Sequence, residues 1–469
     1  MKNLVIVESG AKATKITEYL DKNFPDQQWE VAACLGHIRD LPDDENAVNP
    51  EDWIDLSWEE TQKGKKTIKE LRKICKTTNT IYLATDPDRE GEAIAWHLLS
   101  DFSEKKLLKD REIRRITFNE ITSSAIKQAI NSPREIDQDL VDAYLARRIL
   151  DHLIGFKVSP LVWRHAPPAK SAGRVQSPSL RIICDRETER DKHIKEEYWP
   201  ISSKFNYEDF VFDAELIKLD DKDLKKNPIT TEKQVKRIES ELNSMEFYIQ
   251  SIETKPQSSS PNPPFRTSTL QMTASSFLGF TADRTMRAAQ SLYEAGLITY
   301  LRTDGINIST SPNTGEPFSE ENPGPPPLEE IRNVIQEKFG DSFLSKEVRI
   351  YKSKVKNSQE AHEAIRPTNI KTYPENINLG QDEQKLYTLI WNRTLSSQMS
   401  NSQHERKKIV ICSENNKFIF NASSRKTLFE GFETLTKKDS SEVVEFPDNL
   451  KESEKVNLAE FISEQKFTS

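Results

Sequence analysis

Short apolar runs alternate with helical spacings over the first part of the chain. "LVIV" at 4–7 and "IYLA" at 81–84 are continuous apolar runs of strand length, and "ATKITEYLDKN" at 13–23 and "EGEAIAWHLLSDF" at 90–102 follow them with apolar positions spaced for helices. Buried strands alternating with helices predict a parallel α/β sheet. Helical spacing continues from Ser123 to Ile154, in "SSAIKQAI" and "DAYLARRILDHLI". Between about 199 and 255 the pattern changes to the two-residue alternation of antiparallel strands, in "YWPISSKF", "FVFDAELI" and "FYIQSI". "STLQMTASSFLGFTADRTMRAAQSLYEAGLI", 268–298, is helical again. Two stretches interrupt the pattern. "KPQSSSPNPPF", 255–265, reads as a linker or hinge, and "STSPNTGEPFSEENPGPPP", 309–327, as a mobile insertion loop. No repeat of fixed period is present.

Composition adds limits to this picture. A chain of 469 residues suits three or four domains. With 35% hydrophobic residues and mean hydropathy −0.70, those domains hold modest cores and expose much surface. The opening "MKNLVIVESG" reaches Glu8 too soon for a signal peptide, and no apolar run is long enough to span a bilayer, which predicts a cytoplasmic protein. Cys34, Cys75, Cys184 and Cys412 stand singly without a CxxC, so neither a disulfide framework nor a zinc ribbon is encoded. Net charge −8 argues mildly against a nucleic-acid partner, but cations outnumber anions between Arg147 and Arg190, where a local phosphate-binding groove fits.

The chemistry concentrates at "ATDPDREGEA", 84–93, where Asp86, Asp88, Glu90 and Glu92 surround Arg89 directly after an apolar strand. Ligands of open α/β sheets collect beyond the carboxyl ends of the strands. Glu8 ends one predicted strand and Asp86 another, so if these strands are neighbours their carboxylates converge and need a cation. A hard divalent ion, Mg²⁺, takes such oxygen ligands together with substrate phosphates. The plainer alternative is that Asp88, Glu90 and Glu92 favour the first turn of the following helix by meeting its positive dipole end. No GxxxxGK[ST] segment is present, which excludes an ordinary P-loop triphosphatase.

"LVIVES" with "ATDPDREGEAIAWHL" resembles the Toprim domain. Joined in order to "GHIRDLP", "FNEIT", "SAGRVQS", "LYEAGLITYLRTD" and "EAHEAIRPT", they make the chain resemble the bacterial type IA DNA topoisomerases from Leu4 to about Thr468. The resemblance implies an α/β multidomain fold: a Rossmann-like Toprim sheet with helical domains and a β-rich arch in a toroidal core. The implied divisions are a metal-binding domain at 1–130, a helical DNA-binding segment at 131–195, the first part of the arch at 196–258, a helical domain with the nucleophile at 259–402, and the returning arch at 403–469. It also implies an ATP-independent isomerase acting as a monomer on the single-stranded segment of negatively supercoiled DNA at the nucleoid. One strand is cut through a 5′-phosphotyrosine, another is passed, and the break is resealed.

Residue by residue, the resemblance makes Tyr300 the nucleophile. Asp86, Asp88 and Glu90 hold Mg²⁺, with Glu8 in metal binding or proton transfer and Lys12 donating a proton to the leaving 3′ oxygen. A phenol titrates near pH 10, and Arg302, two residues along an extended "TYLRT", favours its ionised form and pairs with phosphate. His362 belongs to the scissile-phosphate region, and its spacing from Arg366 puts the two on one helix face before Pro367. His37 and Arg39 of "GHIRDLP", Arg147, Arg148 and Asp151, the Ser171, Gly173, Arg174 and Gln176 of "SAGRVQS", and Arg366 fall at DNA-binding positions. For Tyr300 the ordinary alternative is core packing; for Lys12, His362 and the arginines it is a solvated helix face.

The chain departs from the family pattern in places. Gly10 replaces a usual proline, and His152 and Phe156 stand where arginine and tyrosine near an upstream base are common, which leaves the usual cytosine preference open. Family members continue beyond a "KFT" like that at Lys466. A natural short form, one half of a split enzyme with a second polypeptide, and a truncated product are all compatible with this end. The rival functions are a decatenating topoisomerase III-like enzyme, a Toprim primase or nuclease, and a single-strand-binding or cleavage-only fragment.

Overall fold

The computed structural model describes residues 2–49, 51, 56–309, 326–352, 363–436 and 445–468. The chain forms two compact units, one of Met1–Ser179 with Asn262–Gln398 and one of Leu180–Pro261 with Met399–Ser469.

The first unit opens with β1 (Lys2–Val7), α1 (Gly10–Asn23), β2 (Gln28–Ala33), α2 (Gln62–Cys75), β3 (Thr80–Leu83), α3 (Arg89–Glu104) and β4 (Glu112–Arg115). The strands form a parallel sheet in the order β2-β1-β3-β4. Buried on both faces, β1 and β3 read as unbroken apolar runs rather than alternations. Leu4, Ile6, Ile81 and Leu83 pack with Ile68 and Leu71 of α2 and with Leu98 and Phe102 of α3. Because Ile6 lies beside Leu83, the two strands end together. That register brings Glu8 and Asp86 to one edge, as the apolar pattern predicts.

The chain continues through α4 (Ser123–Asn131) and α5 (Gln138–Leu153), a π-helical turn at Ile154–Val158, α6 (Ser159–His165) and α7 (Gln176–Lys192). The second unit holds β5 (Ile201–Tyr207), β6 (Phe210–Leu219), α8 (Glu232–Leu242), β7 (Phe247–Ser259), β8 (Ser402–Ser413), β9 (Phe418–Phe429) and β10 (Lys455–Ser463). With the short Lys222–Asp223 strand they make a seven-stranded antiparallel sheet, β6-β9-β8-β7-β10-β5, which closes because β5 also pairs with β6. Alternating burial along β5 sends Phe205 inward to meet Phe247 and Phe420 edge-on, and α8 covers this core with Val235, Ile238 and Leu242.

The linker expected at 255–265 is corrected here: through Ser259 it is strand, paired with β8 as far as Ser259↔Ser402. β10 meets β7 only at Phe247 and Tyr248, so Pro256 lies on a stretch with one neighbouring strand, where a proline is tolerated.

Back in the first unit, α9 (Thr267–Leu278) and α10 (Ala282–Glu294) are separated by Gly279 in the left-handed conformation, φ 68°. α11 (Pro327–Phe339) and α12 (Gln381–Ser396) follow. Pro327 of the predicted insertion loop opens α11, and residues 310–325 of that loop lie outside the described residues. No helix among the described residues is long and apolar enough to cross a membrane.

Candidate active site

The acidic edge is built by the ends of β1 and β3 and the first turns of α1 and α3. The Asp86 amide donates to Glu8 Oε1 at 2.9 Å. Asp88 caps α3, its Oδ1 accepting from the Gly91 amide at 2.8 Å. A Cβ on Gly91 would fall 2.2 Å from the Asp86 carbonyl oxygen, so only glycine lets this turn close on the strand end. Lys12, in the first turn of α1 and 1% exposed, places Nζ 2.5 Å from Asp86 Oδ1 and 3.8 Å from Glu8 Oε2. Beneath the edge, Arg115 donates to the carbonyls of Leu83, Thr85 and Asp86 and pairs with Glu92 at 2.9 Å. Arg134 also pairs with Glu92, at 2.7 Å. Glu92 therefore serves the buried framework, while Asp88 meets both readings of its position: helix cap and member of the acidic edge.

Tyr300 reaches this edge from the segment after α10. Its amide donates to the Asn119 carbonyl at 2.8 Å, and Gly296, at φ 73°, lies where a Cβ would come 2.5 Å from the Ile121 carbonyl oxygen. Arg366 locks the other side. Its amide donates to Thr299 Oγ1 at 3.0 Å, its carbonyl accepts from the Thr299 amide at 2.9 Å, and its guanidinium pairs with Glu120 at 3.1 Å and Glu363 at 2.6 Å. "FNEIT", "LITY" and "EAIRPT" thus form one clamp around the tyrosine. The Tyr300 hydroxyl donates to Asp88 Oδ2 at 2.5 Å, and Arg302 Nη1 lies 3.4 Å from the same oxygen.

Two carboxylates and burial dominate the electrostatics. Glu8 is pushed up from 4.5 to about 7, first by burial and then by Asp86, with Lys12 opposing. Burial, Asp88 and Asp86 push the Tyr300 phenol far above its ordinary value, and Arg302 offsets only part of this. Arg302 was expected to favour the phenolate; in this geometry the anions prevail and the phenol keeps its proton. Burial works against the Arg302 charge, but the neighbouring carboxylates, Asp88 and Asp86 among them, outweigh it and raise its pKa.

Other predicted residues divide sharply. Glu90 was expected beside Asp86 and Asp88. Its oxygens instead receive His37 Nε2 at 3.0 Å and Arg147 Nη1 at 2.9 Å, and the His37 hydrogen bond lowers its pKa. The Arg39 guanidinium is buried against Asp101 and Glu104, and that of Arg366 against Glu120 and Glu363, which removes both from the surface expected to meet DNA. Arg366 also lies between two residues in short bridges, Phe265↔Ile365 and Ile298↔Pro367, rather than on the predicted helix face. Extended backbone is what lets it pair with Thr299. His362 lies outside the described residues.

On the α5 side, Arg148 pairs with Asp40 at 2.6 Å, and Asp151 pairs with Arg174 at 2.8 Å. Gln176 donates to Ser171 Oγ at 3.1 Å, and the Gly173 amide donates to Ser177 Oγ at 3.1 Å. His152 is buried, its Nε2 2.9 Å from the Asp44 carbonyl and its ring 4.6 Å from that of Phe156. Among the described residues no group of three or more acidic, histidine or cysteine side chains forms a ready cage for a metal. The oxygens of Glu8, Asp86 and Asp88 are the hard donors that Mg²⁺ takes and they share one sheet edge, so they suit the ion; at present they face Lys12, Tyr300 and Arg302.

Sequence reasoning passed over Tyr293, whose hydroxyl donates to Asp86 Oδ1 at 3.3 Å. Its signal was its place on the apolar face of "AAQSLYE", in the same motif as Tyr300. The Glu92–Arg115 and Glu120–Arg366 pairs were missed as such, because each joins residues far apart in the chain.

Comparisons extend the likeness to the whole chain. A family profile described as DNA topoisomerase matches residues 135–469, and one described as Toprim domain matches residues 3–121. DNA topoisomerase 1 of Rickettsia bellii (strain RML369-C) is 43% identical over 481 residues, covering 99% of this chain and 58% of that protein. DNA topoisomerase 1 of Xylella fastidiosa (strain Temecula1 / ATCC 700964) is 40% identical over 489 residues, covering 100% of this chain and 57% of that protein. Full-length topoisomerase I from Thermotoga maritima, in a monoclinic crystal form, superposes with a TM-score of 0.78 at 34% identity, over 99% of this chain and 72% of that one. The chain thus spans just under three fifths of the length of such curated relatives. It belongs to the bacterial type IA DNA topoisomerase family, and its amino-terminal part is a Toprim domain.

Proposed function

We propose that this chain cuts one DNA strand by forming an ester between Tyr300 and a 5′ phosphate, and reseals it by the reverse step. The observation that supports this reading is the 2.5 Å approach of the Tyr300 hydroxyl to Asp88, which brings a nucleophile to an acidic edge suited to a divalent ion. Tyr300 Oη attacks phosphorus and its proton passes to Asp88 Oδ2. The bond to the 3′ oxygen breaks, and Lys12 gives that oxygen a proton. Arg302 pairs with a non-bridging phosphate oxygen. Glu8, Asp86 and Asp88 would hold Mg²⁺, which when bound neutralises charge on the phosphate. The tyrosyl ester keeps the free energy of the broken link, so resealing needs no ATP, and strand passage between the two steps relaxes negatively supercoiled DNA.

The test is incubation with Mg²⁺ and an end-labelled single-stranded oligonucleotide. A denaturant-resistant adduct that vanishes in Tyr300→Phe is expected, and an adduct that survives in that variant rejects the nucleophile. A second reading is cutting and resealing without relaxation. Plasmid linking number separates the two: relaxation changes it, and cleavage with resealing alone leaves it unchanged.

A further inference from the structure

We infer that Tyr293 is a positioning residue that registers the nucleophile and Lys12 against the acidic edge; this rests on the function proposed above. Tyr293 lies in the last turn of α10 and is fully buried. Three of its side-chain contacts are with groups of the proposed reaction. Its hydroxyl donates to Asp86 Oδ1 at 3.3 Å, the oxygen that also takes Lys12. Its ring centre lies 5.1 Å from Lys12 Nζ. The same ring meets that of Tyr300 edge-on, centroids 5.3 Å apart and planes at 68°.

A buried ammonium has three N–H groups to satisfy. Around Lys12 the structure offers Asp86 at 2.5 Å, the more distant Glu8 at 3.8 Å and the face of Tyr293. An aromatic face holds the cation without adding an anion to an edge already crowded with them. Tyr293 and Tyr300 belong to one segment, clamped at Gly296 and Thr299, so the ring that steadies Lys12 also fixes where the nucleophilic phenol stands. An ordinary core tyrosine would need only space and one hydrogen-bond partner.

The experiment follows adduct formation in a single turnover, at saturating oligonucleotide, for the full chain and for Tyr293→Phe and Tyr293→Leu. Losing the ring should slow adduct formation by tenfold or more, a magnitude on the order of that expected when reacting groups shift by a fraction of an ångström. Oligonucleotide affinity and the fraction of enzyme that reacts should stay within about twofold, and Tyr293→Phe, which keeps both ring contacts, should recover the rate to within about threefold. If Tyr293→Leu does not fold, Tyr293→Met fills similar volume without a π face and carries the same expectations. A wild-type rate in the ring-less variant overturns the inference, and so does a loss of rate matched by equal losses of affinity and reacting fraction. Should the wild-type chain form no adduct at all, the proposed function falls and this inference with it.

Discussion

The Tyr300 hydroxyl donates to Asp88 Oδ2 at 2.5 Å, while the other oxygen of that carboxylate caps α3 through the Gly91 amide. One side chain therefore holds both the nucleophile and the helix that carries the acidic edge.

These two roles separate by substitution. Asp88→Asn keeps a capping oxygen but lacks a carboxylate to take the phenol proton, so the rate of adduct formation should fall by roughly 10²-fold or more with little change in thermal stability. Asp88→Ala should lose the same rate and about 1 kcal/mol of stability besides. Single-turnover kinetics and thermal denaturation of the two variants check this pair of outcomes.

Glu8 gives the pH dependence. Its folded value is raised from 4.5 to about 7, chiefly by burial, so its contribution to stability is fully present below 4.5 and is lost as pH rises through about 7. Glu8→Gln stays neutral throughout and keeps an oxygen for the Asp86 amide. In EDTA the variant should match wild type near pH 4.5 and exceed it by roughly 2 to 3 kcal/mol at pH 8. Urea denaturation at the two pH values reads the difference, and equal offsets at both would show that Glu8 ionises normally in the folded chain.

Arg366 and Arg174 should behave as different kinds of arginine. Arg366 is buried between Glu120 and Glu363 and steadies the Thr299 backbone, so Arg366→Met strands two carboxylates and should cost about 3 to 5 kcal/mol. Arg174, on the segment before α7, has a half-exposed guanidinium paired with Asp151. Arg174→Gln should leave folding intact, weaken oligonucleotide binding and reduce its salt slope by about 1. Fluorescence anisotropy titrations across a salt series, with denaturation in parallel, distinguish the two.

The contrast between these arginines shows where sequence reading succeeds. Local patterns carry local geometry: the apolar runs of β1 and β3 predicted a parallel sheet, and a shared register brought Glu8 and Asp86 to one edge. The alternation of β5 and β6 predicted antiparallel strands in the same way. Charge partners across long separations left no such pattern. Nothing in the spacing of "EAHEAIRPT" tells whether Arg366 meets phosphate or Glu120, 246 residues away. Pro256 misled for a related reason: a proline is tolerated where only one side of the strand is paired, and its one neighbouring strand comes from beyond residue 400.

Glu90 provides the last test of the acidic edge. It lies two residues after Asp88, yet its oxygens are taken by His37 and Arg147 rather than by the Tyr300 hydroxyl. A carboxylate whose oxygens are already hydrogen-bonded to Arg147 and His37 has little left to offer a divalent ion. Glu90→Gln should therefore shift the Mg²⁺ concentration for half-maximal adduct formation by no more than about twofold, whereas Asp86→Asn, which removes an ionised oxygen donor from the edge, should raise it by tenfold or more, on the order of the losses seen when metal-site groups are removed. Mn²⁺ binding followed by electron paramagnetic resonance gives the same comparison without DNA. If Glu90→Gln loses metal as severely as Asp86→Asn, then Glu90 leaves His37 and Arg147 when the ion arrives, and the edge has three aspartate and glutamate positions after β3 rather than two.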